Sequence, residues 1–279
     1  MDRNVLALSH LYERDSTNVS FCAGIKANSG NYFFIDYPDL YLELGKKRFE
    51  ERIESLVIEK KINYIFFVFL ADDLTFDIHF IERLSRLSFV VMIFFDTEHY
   101  FESVDRYYAQ AADLVFSGYS SKCRYGLYNI NAAPLFGFFD KNKYQVLKNR
   151  NKCIDVSFVG LINKANRRNY IDYLRANKIT VDLYGGGTRN GFIDFSKMVE
   201  ILNNSKINLN FCGLDTRKAI HTLNINNRIT QINGRLFEIA LCGGFVLTEY
   251  MPGIENMFEI GKEMDCFRSK EELLEKIKY

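Results

Sequence analysis

Residues 155–187 read DVSFVGLINKANRRNYIDYLRANKITVDLYGGG, and this stretch decides the fold. An apolar, β-branched run (155–160) ends on Gly160; a helix-periodic segment (166–177) follows; a second β-branched run (179–184) leads into three consecutive glycines. Strand, helix and strand of these lengths make a right-handed βαβ unit with parallel strands. Towards the C-terminus the alternation continues. Residues 195–203 predict a helix, 207–211 a strand, 235–242 a helix, 244–248 a strand and 269–278 a helix. Ser269 with Glu272 three residues later forms a capping box for the last of these.

Towards the N-terminus the pattern is interrupted by DKNKYQVLKNRNK (140–152), a polar stretch read as a linker, and then recurs. Strands are expected at 5–9, 32–35, 64–70, 89–95, 114–117 and near 135–138. Continuous apolar runs of this kind suit strands buried on both faces. Between the second and third, KKRFEERIESLVIEKK (46–61) sets Phe49, Ile53, Leu56 and Val57 in one stripe on an otherwise charged helix; Phe80, Leu84 and Leu87 repeat the device before the fourth strand. The expected fold class is α/β, two Rossmann-like domains with parallel sheets facing a central cleft. Residues 1–145 make the N-terminal domain and 153–279 the C-terminal one, and the carboxyl ends of the strands form the ligand edge.

Bulk properties narrow the function. A chain of 279 residues accommodates two cores, and 48% hydrophobic with 25% charged residues describes a folded protein, not a disordered one. A formal net charge of +1 gives no electrostatic footprint for nucleic acid. The six cysteines (22, 123, 153, 212, 242 and 266) contain no C-x-x-C pair and the four histidines no H-x-x-x-H, so neither a disulfide framework nor a metal site is expected. The apolar runs 5–8 and 65–70 are too short for a signal peptide or a membrane span. A cytoplasmic protein is expected, with peripheral membrane contact from that side left open.

Several segments carry chemistry. VGLINKANRRN leaves a strand at Gly160 and enters a helix, so its backbone N–H groups and helix dipole favour an anion, with Lys164, Arg167 and Arg168 adding charge. The plainer reading is that the arginines are solvated on the helix's first turn. Gly185 and Gly186 permit close approach of backbone to a ligand or, equally, a tight turn. In NGRLFEIALCGGFVLTEY (233–250), Glu238 sits among apolar residues. It serves either as an acceptor for ribose hydroxyls or as an ion-pair partner of Arg235; the Gly243–Gly244 pair joins helix to strand. Asp96, Glu98 and His99 follow the fourth strand and His10 the first, positions suited to a general base. His79, within a predicted helix, and His221, in a polar loop, look incidental. Of 25 Phe and 17 Tyr most fall in strands and read as core, while Tyr100, Phe101, Tyr107 and Tyr108 could instead form a sugar-stacking wall.

The blocks DVSFVGLINKANRRNYIDYLRANKITVDLYGGG, NNSKINLNF and GRLFEIALCGGFVLTEYMPGIENMFEIGKEMDCFRSKEELLEKIKY resemble, in order, the C-terminal domain of CgeB-like glycosyltransferases of the GT-B fold, within the glycosyltransferase type-one superfamily. FFDTEHYFE and ADLVFSGYSSK match more loosely. The resemblance implies a hexosyltransferase-like enzyme of bacterial cell-surface polysaccharide biosynthesis. It would move a sugar from a nucleotide-sugar donor, such as a UDP- or GDP-sugar, to a hydroxyl acceptor on a glycan, lipid-linked carrier or protein, with no cofactor and no metal. It places Glu238 at the donor ribose, Arg167 or Arg168 at the diphosphate and the 96–99 loop near the acceptor and the reacting carbon; Gly160, Lys164, Gly185, Gly186, Asn210, Arg235, Gly243 and Gly244 are the further residues expected to bind substrate. Many retaining relatives carry a second glutamate eight residues before Glu238, where this chain has Thr230. A non-catalytic nucleotide- or sugar-phosphate-binding protein on the same fold is the main alternative, and a non-enzymatic assembly factor a third.

Overall fold

The computed structural model describes residues 3–10, 16–69, 76–95, 97–119, 122–164, 166–213 and 230–279. The chain divides into two units, Met1–Phe139 and Asp140–Tyr279. In the first, β1 (Asn4–Ser9), α1 (Ser16–Ala27), β2 (Asn31–Asp36), α2 (Tyr37–Leu44), α3 (Lys46–Glu59), β3 (Tyr64–Phe69), α4 (Ile78–Leu87) and β4 (Phe89–Phe94) alternate. They lead into α5 (Thr97–Tyr100), a π-helical turn (Phe101–Asp105), α6 (Arg106–Ala109), β5 (Leu114–Ser117), α7 (Lys122–Gly126) and β6 (Ala132–Pro134). The sheet order is β2-β1-β3-β4-β5-β6 and every pairing is parallel.

Strand alternation assigns the two faces of this sheet. Leu6, Leu8, Ile65, Phe67, Val90, Met92 and Val115 enter the larger core with Phe49, Ile53, Phe80 and Leu84 from α3 and α4. The other face carries Val68, Val91 and Ile93, with Phe66, Leu114 and Phe116 only partly buried. The stripe expected on 46–61 is the buried face of α3. The strand expected near 135–138 lies instead at Ala132–Pro134, and Leu135 and Phe138 pack against the second sheet face as non-strand residues. Pro134 closes the strand, a place where a missing N–H costs an edge strand little.

The second unit contains β7 (Ile154–Val159), α8 (Arg167–Ala176), β8 (Asp182–Tyr184), α9 (Phe195–Asn204), β9 (Ser205–Asn210), α10 (Gly234–Leu241), β10 (Val246–Glu249), β11 (Asp265–Phe267) and α11 (Lys270–Lys278). Its sheet is parallel, in the order β11-β10-β9-β7-β8. Counted from its own first strand this is 2-1-3-4-5, the order with which the first sheet also begins. Both units are therefore doubly wound, with the strand order reversing between β1 and β3 and between β7 and β9. Ser269 caps α11 through Glu272 N at 3.1 Å, as the sequence predicts.

The polar stretch 140–152 is counted with the second unit and packs upon it. Leu147 N donates to Asn203 Oδ1 (2.9 Å), Asn203 Nδ2 to Gln145 O (3.1 Å), Asn151 N to Asn204 Oδ1 (2.9 Å) and Lys152 Nζ to Ser205 O (2.7 Å). Carboxamides at the end of α9 thus satisfy an arm that has no ladder of its own. Among the described residues, no helix is long and apolar enough to cross a membrane.

Two loops meet at the carboxyl edge of the second sheet. Gly160 N donates to Tyr184 O (2.8 Å) and Ile162 N to Gly186 O (3.1 Å). A Cβ on Gly185, whose φ is +113°, would stand 2.4 Å from Gly160 O, and one on Gly186 2.4 Å from Leu161 Cδ2. Gly185→Ala adds left-handed strain to a backbone clash, so a loss of about 3 kcal/mol is expected in urea unfolding.

Burial raises the thiol pKa values of Cys22, of Cys212 to about 12, and of Cys242 and Cys266 to about 11; Cys123 and Cys153 are exposed. Iodoacetamide at neutral pH should therefore label Cys123 and Cys153 and spare the buried four. Folded values above the ordinary 9.0 leave these thiols without effect below that pH, and stability falls as pH rises through about 11 to 12. Urea midpoints measured from pH 8 upward should decline from about pH 9.

Candidate functional site

The carboxyl ends of β7 and β9 flank the switch point of the second sheet, where doubly wound folds gather ligands. Arg167, the first residue of α8, reaches across it. Its Nη1 donates to Leu161 O after β7 (2.9 Å), its Nη2 lies 3.5 Å from Phe211 O after β9, and its guanidinium stands over the Phe158 ring at 5.6 Å. Phe211 O also accepts from Asn233 Nδ2 (2.9 Å), and Asn233 is the N-cap of α10. Arg167 and the positive end of α10 therefore meet on one carbonyl. Asn233 Oδ1 is buried with no hydrogen-bond partner among the described residues.

The neighbouring basic residues differ in their placement. Arg168 is exposed and donates to Asn163 Oδ1 (2.6 Å), while Lys164 is half-buried at the turn into α8. Gly160, Gly185 and Gly186 lie on this edge, and their immediate role is the loop-on-loop contact described above. Asn210 is buried: its Nδ2 donates to Thr248 Oγ1 (2.9 Å), bracing β9 to β10. Glu249, at the end of β10, accepts from Cys212 N (3.1 Å) and Gly213 N (3.2 Å). The Tyr170 hydroxyl beside it is pushed up to about 12 by burial and then by the Glu249 carboxylate.

Glu238, one turn into α10, is ion-paired to Arg235 and accepts from Tyr144 Oη at 2.8 Å. The i, i+3 pairing foreseen in sequence is thus present, and the tyrosine from the 140–152 arm completes it. Gly243 and Gly244 stand at the other edge of the sheet, between the end of α10 and the start of β10. Gly243 has a φ of +63° and its N–H returns to Ala240 O (2.9 Å); a Cβ on it would meet Val146 at 2.9 Å. On Gly244, a Cβ would meet Asn208 Nδ2 at 2.7 Å and Leu202 O at 2.9 Å. These two glycines end a helix and admit close packing, away from the carboxyl edge where the donor was expected. Thr230 forms an isolated bridge to Gly213.

Asp96 of the first unit and His221 of the second lie outside the described residues, as does the His99 side chain, whose backbone belongs to α5. Glu98 lies against Gly118 at the end of β5: a Cβ there would stand 3.1 Å from Glu98 Oε1. Around it Thr97, Asp105, Ser117 and Tyr125 are buried, and the Tyr125 phenol is pushed up by burial and then by the Asp105 carboxylate. Phe101 and Tyr108 are core, the latter bonded to Phe76 O at 3.0 Å, so neither serves the sugar wall; Tyr107 is exposed. His79 is an exposed partner of Glu82.

His10 follows β1, and its Nδ1 lies 2.8 Å from Asp36 Oδ1 at the end of β2, with the two side chains 21% and 25% exposed. An imidazole held by a carboxylate through Nδ1 has its tautomer set, with Nε2 as the basic atom in the neutral ring. The sequence pointed to His10 but not to Asp36. The parallel register that aligns Ser9 with Asp36 is the signal that finds it.

Residues 166–279 match the glycosyl transferase-like family. HepE of Anabaena, solved in complex with UDP and glucose, superposes with a TM-score of 0.59 at 12% identity, covering 98% of this chain and 88% of its own. UDP-GlcNAc 2-epimerase from Methanocaldococcus jannaschii gives 0.53 at 8% identity, over 99% and 92% of the two chains. No curated protein matches the sequence. The chain thus has the GT-B-like fold of two Rossmann-like α/β units, and over residues 166–279 it is similar to the glycosyl transferase-like family.

Proposed function

We propose that this protein is a glycosyltransferase that moves a sugar from a nucleotide-sugar donor to a hydroxyl acceptor, with the donor bound by the second unit. The observation that carries the reading is Arg167, fixed across the switch point beside the N-terminus of α10. A nucleoside diphosphate offers only acceptors at its phosphates, which suits a guanidinium and main-chain N–H groups. The family match over residues 166–279 and the HepE fold support the same reading. Lys164 and Arg168 add charge to the leaving diphosphate, so the reaction is assigned no metal. Within the family, the ordered blocks quoted above favour the CgeB-like group and a role in cell-surface polysaccharide synthesis.

Glu238 is assigned to the ribose, whose hydroxyls would share a carboxylate already held by Arg235 and Tyr144. On the acceptor side the His10–Asp36 pair is the strongest general base: an imidazole with a set tautomer can take the acceptor proton, and Asp36 steadies the imidazolium that results. Asp96, Glu98 and His99 are the other candidates for this role.

Calorimetry with uridine, UMP and UDP separates the two ends of the donor. Arg167→Ala should weaken UDP at least tenfold and leave uridine unchanged. Glu238→Gln should weaken all three ligands by about 1–2 kcal/mol. Equal loss of all three ligands in the arginine variant would remove the diphosphate assignment.

Turnover of UDP-sugars, measured with and without a chelator, separates a transferase from a nucleotide-binding protein, which binds without turning over. In an active enzyme, His10→Ala should lower kcat by about 10²–10⁴ with UDP affinity unchanged, and Asp36→Asn should lower it less. Unchanged kcat in both variants moves the base to the Asp96–His99 loop.

A further inference from the structure

Among the described residues, the second face of the first sheet is less covered than the first. One strand set packs under α2, α3, α4 and α6; the alternate set meets α1 and the chain after β6, with Phe66 and Phe116 only partly buried. Between α1 and the sheet lies a cavity of about 580 Å³, within the range of small-molecule sites. Its floor is Val5, Phe66, Ile93 and Phe116, and Phe21 and Phe138 form walls, their rings 4.1 Å apart at the centroids.

Apart from Ser20 on α1, the polar groups are gathered at one end. Arg3 precedes β1, Tyr64 opens β3, and Asn28 and Ser29 follow α1, so all four stand at the amino edge of the sheet. Asn28 and Ser29 spend their donors on the end of α1, at Gly24 O and Ile25 O. Among the described residues of the lining Arg3 is the one that carries a charge, and its guanidinium stands 5.6 Å from the centre of the Tyr64 ring. An apolar slot with a single cation at one mouth is complementary to a long hydrocarbon chain that ends in an anion. Because that mouth is at the amino edge, the slot is separate from the carboxyl-edge groups to which catalysis is assigned.

We propose that this cavity binds one long-chain carboxylate, with its hydrocarbon along the sheet face and its head group on Arg3. The site is independent of the sugar-transfer reading: its occupant is neither donor nor acceptor.

The test uses the full chain and a polarity-sensitive fluorescent fatty acid, displaced by saturated carboxylates of increasing length, by oleate and by oleyl alcohol. Affinity should rise roughly threefold to fourfold per added methylene until the slot is filled. Oleate should displace the probe at least tenfold better than the alcohol, and Arg3→Gln should abolish that preference. Gly24 lines the slot within α1, and a Cβ on it meets nothing within 4 Å. Gly24→Phe should therefore block binding while a helix former in α1 preserves the fold, checked by urea unfolding. Probe binding unchanged in a folded Gly24→Phe variant overturns the site. A chain that binds no probe but sediments as a dimer, dissociated by Phe116→Asp, overturns it in favour of a second copy on this face. Co-sedimentation with anionic vesicles without uptake of the monomeric probe overturns it in favour of a bilayer surface.

Discussion

Parallel strands cannot be joined by hairpins, and that constraint arranges everything else in this molecule. Each strand must be followed by a crossover, so all carboxyl ends in a unit open on one edge with a loop at every end. In the second unit that edge is narrowed by one contact, Gly185 on the Gly160 carbonyl, which no side chain would allow. The loop after β7 is thereby fixed against the loop after β8. Arg167 enters from the start of α8 onto carbonyls that are already in place.

Magnitudes explain why a cation stands at the start of a helix. Opposing the dipole there costs about 0.3–1 kcal/mol at an exposed site. A hydrogen bond from a charged group contributes about 1.5–3 kcal/mol. The bond to Leu161 O and the position over Phe158 outweigh the dipole term, so the reading of Arg167 as merely solvated does not describe it. Arg168, exposed and bonded to Asn163 Oδ1, is held more loosely and keeps most of its guanidinium open to solvent. The Arg167 guanidinium is thereby fixed between the loops that follow β7 and β9, at the switch point of the sheet.

Much of the fold was legible because long apolar runs and amphipathic stripes report burial directly. β1, β3, β4, β7 and β9, with α3, α4, α8, α9, α10 and α11, stand within a few residues of where the sequence puts them. The elements that were missed lack such a pattern. Within α1, small and polar residues interrupt any apolar stripe; β11 has three residues, too few to show alternation; and Leu135–Phe138 are apolar because they cover a sheet face, not because they pair. In the site, residue types were easier to read than partners. Lys164, Arg167 and Glu238 announce themselves by charge in unusual company, but Asp36 and Tyr144 gain meaning only through contacts 26 and 94 residues away in the chain. Glycine was the least legible residue. The same Gly-Gly pattern marks a carboxyl-edge contact at Gly185–Gly186 and a helix ending at the opposite edge at Gly243–Gly244, and sequence cannot separate them.

Tyr144 shows how a stretch that reads as a linker comes to satisfy a buried carboxylate. A carboxylate among Phe237 and Ile239 is costly unless its oxygens are matched by donors. Arg235 answers one oxygen from within α10, and the arm supplies the donor for the other. The same arm is fastened at Asn203, Asn204 and Ser205, and Val146 and Arg150 close upon Gly243 at the far end of α10. Helix α10 is therefore gripped along its length by 140–152, and Glu238 is the polar point of that grip. A ligand hydroxyl that bonds to Glu238 must either share the carboxylate with Tyr144 or displace it. On the proposed assignment of Glu238 to the ribose, donor binding and seating of the arm become linked equilibria, and each changes the other by the same free energy.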